Sequence, residues 1–265
     1  MLVLRLSLIL LLAVLASGCE GGEVNIDPES GISLELATAR AQIIKDIHYD
    51  LSFEIPAEVS EPILGSVLIR FELTQTKTSL VLDFAPGGDF IESVTIDGSP
   101  SSFRAINGHI VIPAEELVVG ENSVNIVFRP GEASLNRDSE FMYTLFVPAR
   151  AHLAFPSFDQ PDLKAKFNLV LTVPSDWEAV ANGPEIHRKV DGDKTRIRYA
   201  ETQPIPTYLF AFSTGKFHIE TAERNGREYR MFHRETDEIK VERNRDSVFD
   251  LHASALEWLE EYTRI

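Results

Sequence analysis

"FPSFDQPDLKAKFNLVLTVP", Phe155–Pro174, changes character midway. Its first thirteen residues hold two prolines, three phenylalanines, two aspartates and no glycine. The rest, "FNLVLTV", reads as a strand. Prolines fix φ, and aspartates on either side of Pro161 suit a turn in which their side chains bond nearby backbone N–H groups. The stretch therefore predicts a rigid, aromatic-rich corner feeding a strand.

Strand signals continue on both sides. "YDLSFEI" places Tyr49, Leu51, Phe53 and Ile55 on one face, and "SVLIRFEL" does the same with Val67, Ile69, Phe71 and Leu73. "SLVLDF", "SVTID", "HIVIP", "NSVNIVF" and "TRIRYA" follow, punctuated by Gly, Pro, Asn and Asp. Many short alternating strands predict a mainly β, antiparallel sandwich with one wet face per sheet. "TYLFAF", Thr207–Phe212, is apolar throughout and reads as a strand buried on both sides.

The flanks differ. Residues 33–46 predict a short helix capped by Ser33, with Leu36, Ala39, Ile43 and Ile44 as its apolar positions. "RNGREYRMFHRE" reads as a charged hairpin or strand. From about Asp237 the pattern is helical, with Val248, Leu251, Ala255, Leu259 and Tyr262 on one stripe that nothing later in the chain covers. Glu257, Glu260 and Glu261 in its last turn oppose the helix dipole.

The N-terminus reads as targeting sequence. Arg5 precedes an apolar run from Leu6 to Leu15, then Ala16-Ser17-Gly18 and Cys19, the sole cysteine. The run is too short to span a bilayer. The small residues before Cys19 resemble a bacterial lipobox, which implies a signal peptide over 1–18, a lipid-carrying Cys19, and an exported protein anchored on the periplasmic side or cell surface. Residues 19–32 then form a tether. The sandwich is expected over 47–217 and the start of a further domain over 218–265.

The 41 acidic against 25 basic residues, a net charge of −16, argue against nucleic-acid binding. None of the seven histidines stands four from another, so H-E-x-x-H is absent; so are a G-x-S-x-G elbow, a Walker loop and GxGxxG. His218 and His233 flank the hairpin and can meet, most simply as surface histidines. The residues alone describe a β-sandwich without a visible active site.

Two blocks carry a resemblance. "FPSFDQPDLKAKFNLVLTVP" resembles the F-P-C-F-D-E-P-x-x-K-A-x-F signature of the zinc aminopeptidases related to aminopeptidase N and leukotriene hydrolase. "TQPIPTYLFAFSTGKF" resembles that family's T-x-P-M-S-T-Y-L-x-A-F segment, and "YDLSFEI…GSVLIRFEL" its first hairpin with a glycine. The resemblance implies a saddle-like N-terminal β-domain that packs on a thermolysin-like zinc domain; residues 218–265 are then expected to be the first hairpin and helix of that α/β catalytic domain, incomplete here, with its ligands and general base beyond Ile265. It implies a parent that removes N-terminal residues from peptides, with this chain alone holding no zinc and no catalytic residue.

Phe155, Pro156, Phe158, Asp159, Pro161, Lys164 and Tyr208 then match structural positions of the family motifs. Phe155, Phe158 and Phe167 are expected in the core, and Lys164 as a surface or interdomain ion partner. Ser157 and Gln160 stand where the family commonly has Cys and Glu. Leu145 and Val147 fall where many members place the Gln and Glu of a substrate-binding loop, and neither can pair an ammonium. The alternative expectation is a free-standing, non-catalytic binding or scaffolding module; an epoxide-hydrolysing parent has no residue in its favour.

Overall fold

The computed structural model describes residues 27–265. The predicted signal peptide 1–18, the lipidation position Cys19 and tether residues 20–26 lie outside them.

Helix α1 (Leu34–Ile43) starts where Ser33 accepts a hydrogen bond from the Leu36 N–H at 3.2 Å. It stops earlier than expected, because Ile44 already belongs to a strand. Ala39 is exposed and Arg40 is the buried position, so a cation rather than an alanine faces the sheet.

Along the chain follow β1 (Ile44–Glu54), β2 (Leu64–Leu73), β3 (Leu80–Asp83), β4 (Ile91–Ile96), β5 (Ser99–Pro100), β6 (Arg104–Ile106), β7 (His109–Ile112), β8 (Gly120–Phe128) and β9 (Leu135–Arg137). Then come β10 (Phe141–Thr144), β11 (Ala165–Pro174), β12 (Glu178–Ala181), β13 (Glu185–Asp191), β14 (Lys194–Tyr199), β15 (Phe212–Gly215), β16 (His218–Arg224), β17 (Arg227–His233) and helix α2 (Glu238–Thr263).

The main sheet has eight strands in the order β13-β14-β11-β1-β2-β8-β4-β5. Smaller sheets, β12-β15-β10-β9 and β3-β7-β6, complete the β-rich body, and β16-β17 forms a separate hairpin. The pairing is antiparallel except between β1 and β11, which run parallel from Ile47↔Ala165 to Glu54↔Thr172. A parallel pair needs a long crossover, and here β2 to β10 supply it.

Alternation decides what faces the core. Tyr49, Leu51, Phe53, Val67, Ile69, Phe71, Phe167, Leu169 and Leu171 are all buried, in one continuous cluster with the inner residues of the smaller sheets. The glycine of the first hairpin has a steric reason. Gly65 lies opposite Phe128, and a Cβ there would come within 2.7 Å of that ring.

"TYLFAF" is not a continuous strand. Thr207–Leu209 forms a 3₁₀ turn and the strand starts only at Phe212. Asn182 explains the interruption: its side chain donates to the Leu209 carbonyl (3.0 Å) and accepts from the Ala211 N–H (2.7 Å), replacing a neighbouring strand. Phe210 and Phe212 are buried, but Leu209 and Ala211 are exposed.

Helix α2 is capped by Asp237, which accepts from the Ile239 and Lys240 N–H groups. It lies on the β16-β17 hairpin through Phe249 and Ala253, which the predicted stripe did not include. Leu251, Ala255, Leu259 and Tyr262 of that stripe are exposed. Two of the three acids near the end of α2 have partners on the hairpin: Asn225 donates to Glu257, and Arg227 pairs with Glu260 at 2.7 Å.

Candidate functional site

The corner 155–164 is assembled by its aromatic rings first. Phe155, Phe158 and Phe167 are buried. Tyr49 of β1 stacks on Phe167 at 5.0 Å, and Phe167 on Phe210 at 4.7 Å. Phe155 meets Phe210 edge-on at 5.8 Å, and Phe158 meets Phe71 at 5.7 Å. Rings from both sequence blocks thus form one column, and such edge and offset contacts add to the stabilisation from burial alone.

Polar groups then fasten the corner. Asp159 is buried; its carboxylate accepts the Thr207 hydroxyl at 2.6 Å, His152 Nδ1 at 2.6 Å and the His152 N–H at 3.2 Å. The Asp159 N–H donates to Asp83 (2.9 Å), and the Phe158 N–H to the Tyr49 hydroxyl (2.9 Å). Asp159 therefore bonds one nearby backbone N–H, as expected of a turn residue, and also reaches across to the second block. Asp162 is exposed.

Asp83 is the second anchor, at the end of β3. Arg40 grips its carboxylate with two hydrogen bonds, of 2.9 and 2.6 Å, and His109 Nδ1 adds a third at 2.9 Å. Burial pushes the Asp83 carboxyl upward, but His109, Arg40 and the Asp159 N–H outweigh it and hold the group below its ordinary range. Burial likewise raises the Tyr49 phenol, against the Phe158 N–H bond.

Pro156 is buried and Pro161 exposed. Lys164 is exposed, and Tyr208 is half-buried in the 3₁₀ turn. Ser157 is fully buried, and its hydroxyl has no partner among the described residues. Gln160 Nε2 donates to the Ala37 carbonyl at 2.9 Å, which ties the corner to α1. An ionised glutamate has no proton to make that bond.

Leu145 and Val147 flank the buried Phe146 and point outward, 44% and 63% exposed. Apolar groups thus face outward at the two positions that the resemblance assigns to a substrate-binding loop. His218 and His233 do meet, as cross-strand partners with ring centroids 5.5 Å apart. A catalytic zinc needs three protein ligands. Among the described residues no group of three His, Cys, Asp or Glu converges to hold a metal, so these residues do not fit zinc.

Sequence reading missed Arg40, Asp83, His109 and Thr207. One signal was present: Asp83 interrupts the apolar run "SLVLDF" between Leu82 and Phe84, and a carboxylate on a core strand demands a partner.

The arrangement is that of a β-domain whose corner is braced by buried carboxylates. Residues 132–209 match the peptidase M1 N-terminal domain, covering the first block wholly and the second in part. Two relatives are named aminopeptidases: probable M1 family aminopeptidase 1 of Encephalitozoon cuniculi, 28% identical over 84% of this chain and 27% of that protein, and aminopeptidase M1-B of rice (Oryza sativa), 39% identical over 63% of this chain and 21% of that protein. In fold, the chain resembles the M1 zinc metallopeptidase from Deinococcus radiodurans, with a TM-score of 0.58 at 18% identity, over 69% of this chain and 44% of that one. The matched segment, residues 132–209, is similar to the N-terminal domain of the M1 peptidases, in line with the resemblance that the motifs carry. It spans about a quarter of the length of the curated relatives it matches.

Proposed function

We propose that the chain is the N-terminal domain of a lipid-anchored, zinc-dependent aminopeptidase that removes N-terminal residues from peptides, and that it is inactive alone. The supporting observation is the Asp159–Thr207 bond, which locks both motif blocks into one unit within the region matched to the M1 domain. In this reading the domain braces a catalytic domain that supplies the zinc ligands and the general base. The exposed face of α2, where Trp258 and Tyr262 stack at 5.3 Å, offers that domain a surface.

The test compares two preparations on a fluorogenic aminoacyl amide. Protein captured from its source with an antibody to this domain is expected to turn over and to stop on chelation, whereas the 265-residue chain with added zinc is inert. An inert captured protein would favour a free-standing binding module. Anchoring is tested separately: Cys19→Ala is expected to abolish fatty-acid labelling and to release the protein from membranes, since acyl chains confer ~0.8 kcal/mol per buried CH₂. A wild type that takes up no label defeats that part.

A further inference from the structure

His109 is only 2% exposed, yet both its ring nitrogens face oxygen. Nδ1 lies 2.9 Å from the Asp83 carboxylate; Nε2 lies 2.9 Å from the Glu29 carbonyl and 3.0 Å from that of Gly31. A carboxylate and a carbonyl only accept, so both nitrogens must donate, and only the imidazolium carries two N–H groups. Two more bonds hold the same segment to the β6-β7 hairpin. Arg104 pairs with Asp27 at 2.6 Å, and Asn107 Nδ2 donates to the Pro28 carbonyl at 2.9 Å. Residues 27–31 therefore lie as a strap across that hairpin, ahead of α1.

We propose that His109 is a pH-sensitive latch for this strap, a property beyond the peptidase reading above. Loss of one proton leaves Nδ1–H on Asp83 and turns an Nε2 lone pair toward two carbonyl oxygens, which repels the strap. The groups facing the ring are Asp83 from β3, with Arg40 of α1 and Tyr49 of β1 around that carboxylate, and the Glu29 and Gly31 carbonyls of the strap. Asp159 and His152 stand one bond further away. Asp83 is held below and Tyr49 above its ordinary range, and Arg104 pairs with Asp27. His152 bonds Asp159, not the strap.

The balance of forces agrees with the geometry. Burial pulls the His109 pKa down, Asp83 and the Glu29 carbonyl pull it up, Arg40 opposes them, and the net direction is above the ordinary 6.5. The latch is thus fully closed below pH 6.5 and opens as pH rises through the higher, folded value.

The experiment is an NMR titration of the 265-residue chain from pH 5 to 9. Ring ¹⁵N shifts report the charge of His109, and ¹⁵N relaxation reports the order of the Glu29, Ser30 and Gly31 amides. Expected are an imidazolium at pH 5.5, a midpoint above 6.5, and strap order parameters falling with that midpoint from about 0.85 toward 0.6 or less. His109→Asn, which can still donate to Asp83 but cannot reach the strap, should leave residues 29–31 mobile at every pH. A neutral ring at pH 5.5, or strap order that ignores pH or follows a different midpoint, overturns the proposal. The wild-type titration decides the matter even if the variant fails to fold.

Discussion

Thr207 donates a 2.6 Å hydrogen bond to Asp159, a residue 48 positions earlier, and both side chains are buried. Asp159→Ala strips the hydroxyl of its acceptor and His152 of its partner. Leaving such groups unpaired costs about 1–3 kcal/mol each, so a loss of ~2–4 kcal/mol is expected in urea unfolding. Thr207→Val should cost less, and the double variant less than the sum of the two. Strict additivity would show that the contact is not energetically shared.

Stability should peak on a pH plateau set by Asp83 and His109. The depressed Asp83 contributes stability above its ordinary 3.8 and loses it as pH falls through its lower folded value. The raised His109 contributes below 6.5 and loses it as pH climbs through its higher folded value. Asp83→Asn leaves Arg40 buried without its counter-charge, at a cost of ~3–5 kcal/mol near neutrality. The variant's urea midpoints should also decline less below pH 3.8. An unchanged acid limb would mean that other carboxylates control it.

Gln160→Glu tests the one motif position where the usual residue is the wrong one here. It would bury a carboxylate, at a site 4% exposed, against the Ala37 carbonyl. The expected loss is ~2–4 kcal/mol at pH 7. It should shrink as the pH is lowered and the acid becomes a donor again, because burial raises the pKa of a carboxyl. A pH-independent loss, or none, rejects the assignment.

The motif corner and the sheet were legible because alternation and proline leave local marks: Tyr49 to Ile55 and Val67 to Leu73 read directly as core faces. The braces were not. Arg40, Asp83 and His109 lie on three separate elements, and nothing local to Arg40 distinguishes it from a solvated helix cation. "TYLFAF" misled because an apolar run can be a strand or a buried turn, and what decides is the amide of Asn182. The α2 stripe misled for a related reason. Charges on the hairpin, Arg224 with Asp250 at 2.6 Å among them, orient the helix and select Phe249 as its contact.

Phe249→Ala should free α2 from the hairpin at a cost of about 3–5 kcal/mol if the site does not collapse, and less if it does. Limited proteolysis is the measurement. Cleavage between Glu220 and Arg245 should accelerate while the body at 47–217 keeps its resistance. Equal acceleration in both regions would show that hairpin, helix and sandwich unfold together and would remove the proposed boundary near residue 217.

The parallel seam between β1 and β11 also governs the order of events during synthesis. Asp50 and Asn168 sit opposite each other there, bonded at 2.8 Å, although 118 residues separate them. Strands β1, β2, β8 and β4 can pair from nearby sequence, as can β11, β14 and β13; the two groups meet only along this seam. Until the ribosome has released β11, β1 presents an unpaired edge with apolar Leu51 and Phe53 behind it, a template for wrong partners. Non-local closure of this kind slows folding. The nascent chain therefore has a vulnerable interval between the emergence of β8 and that of β11, and that interval is where a holding chaperone would have to act.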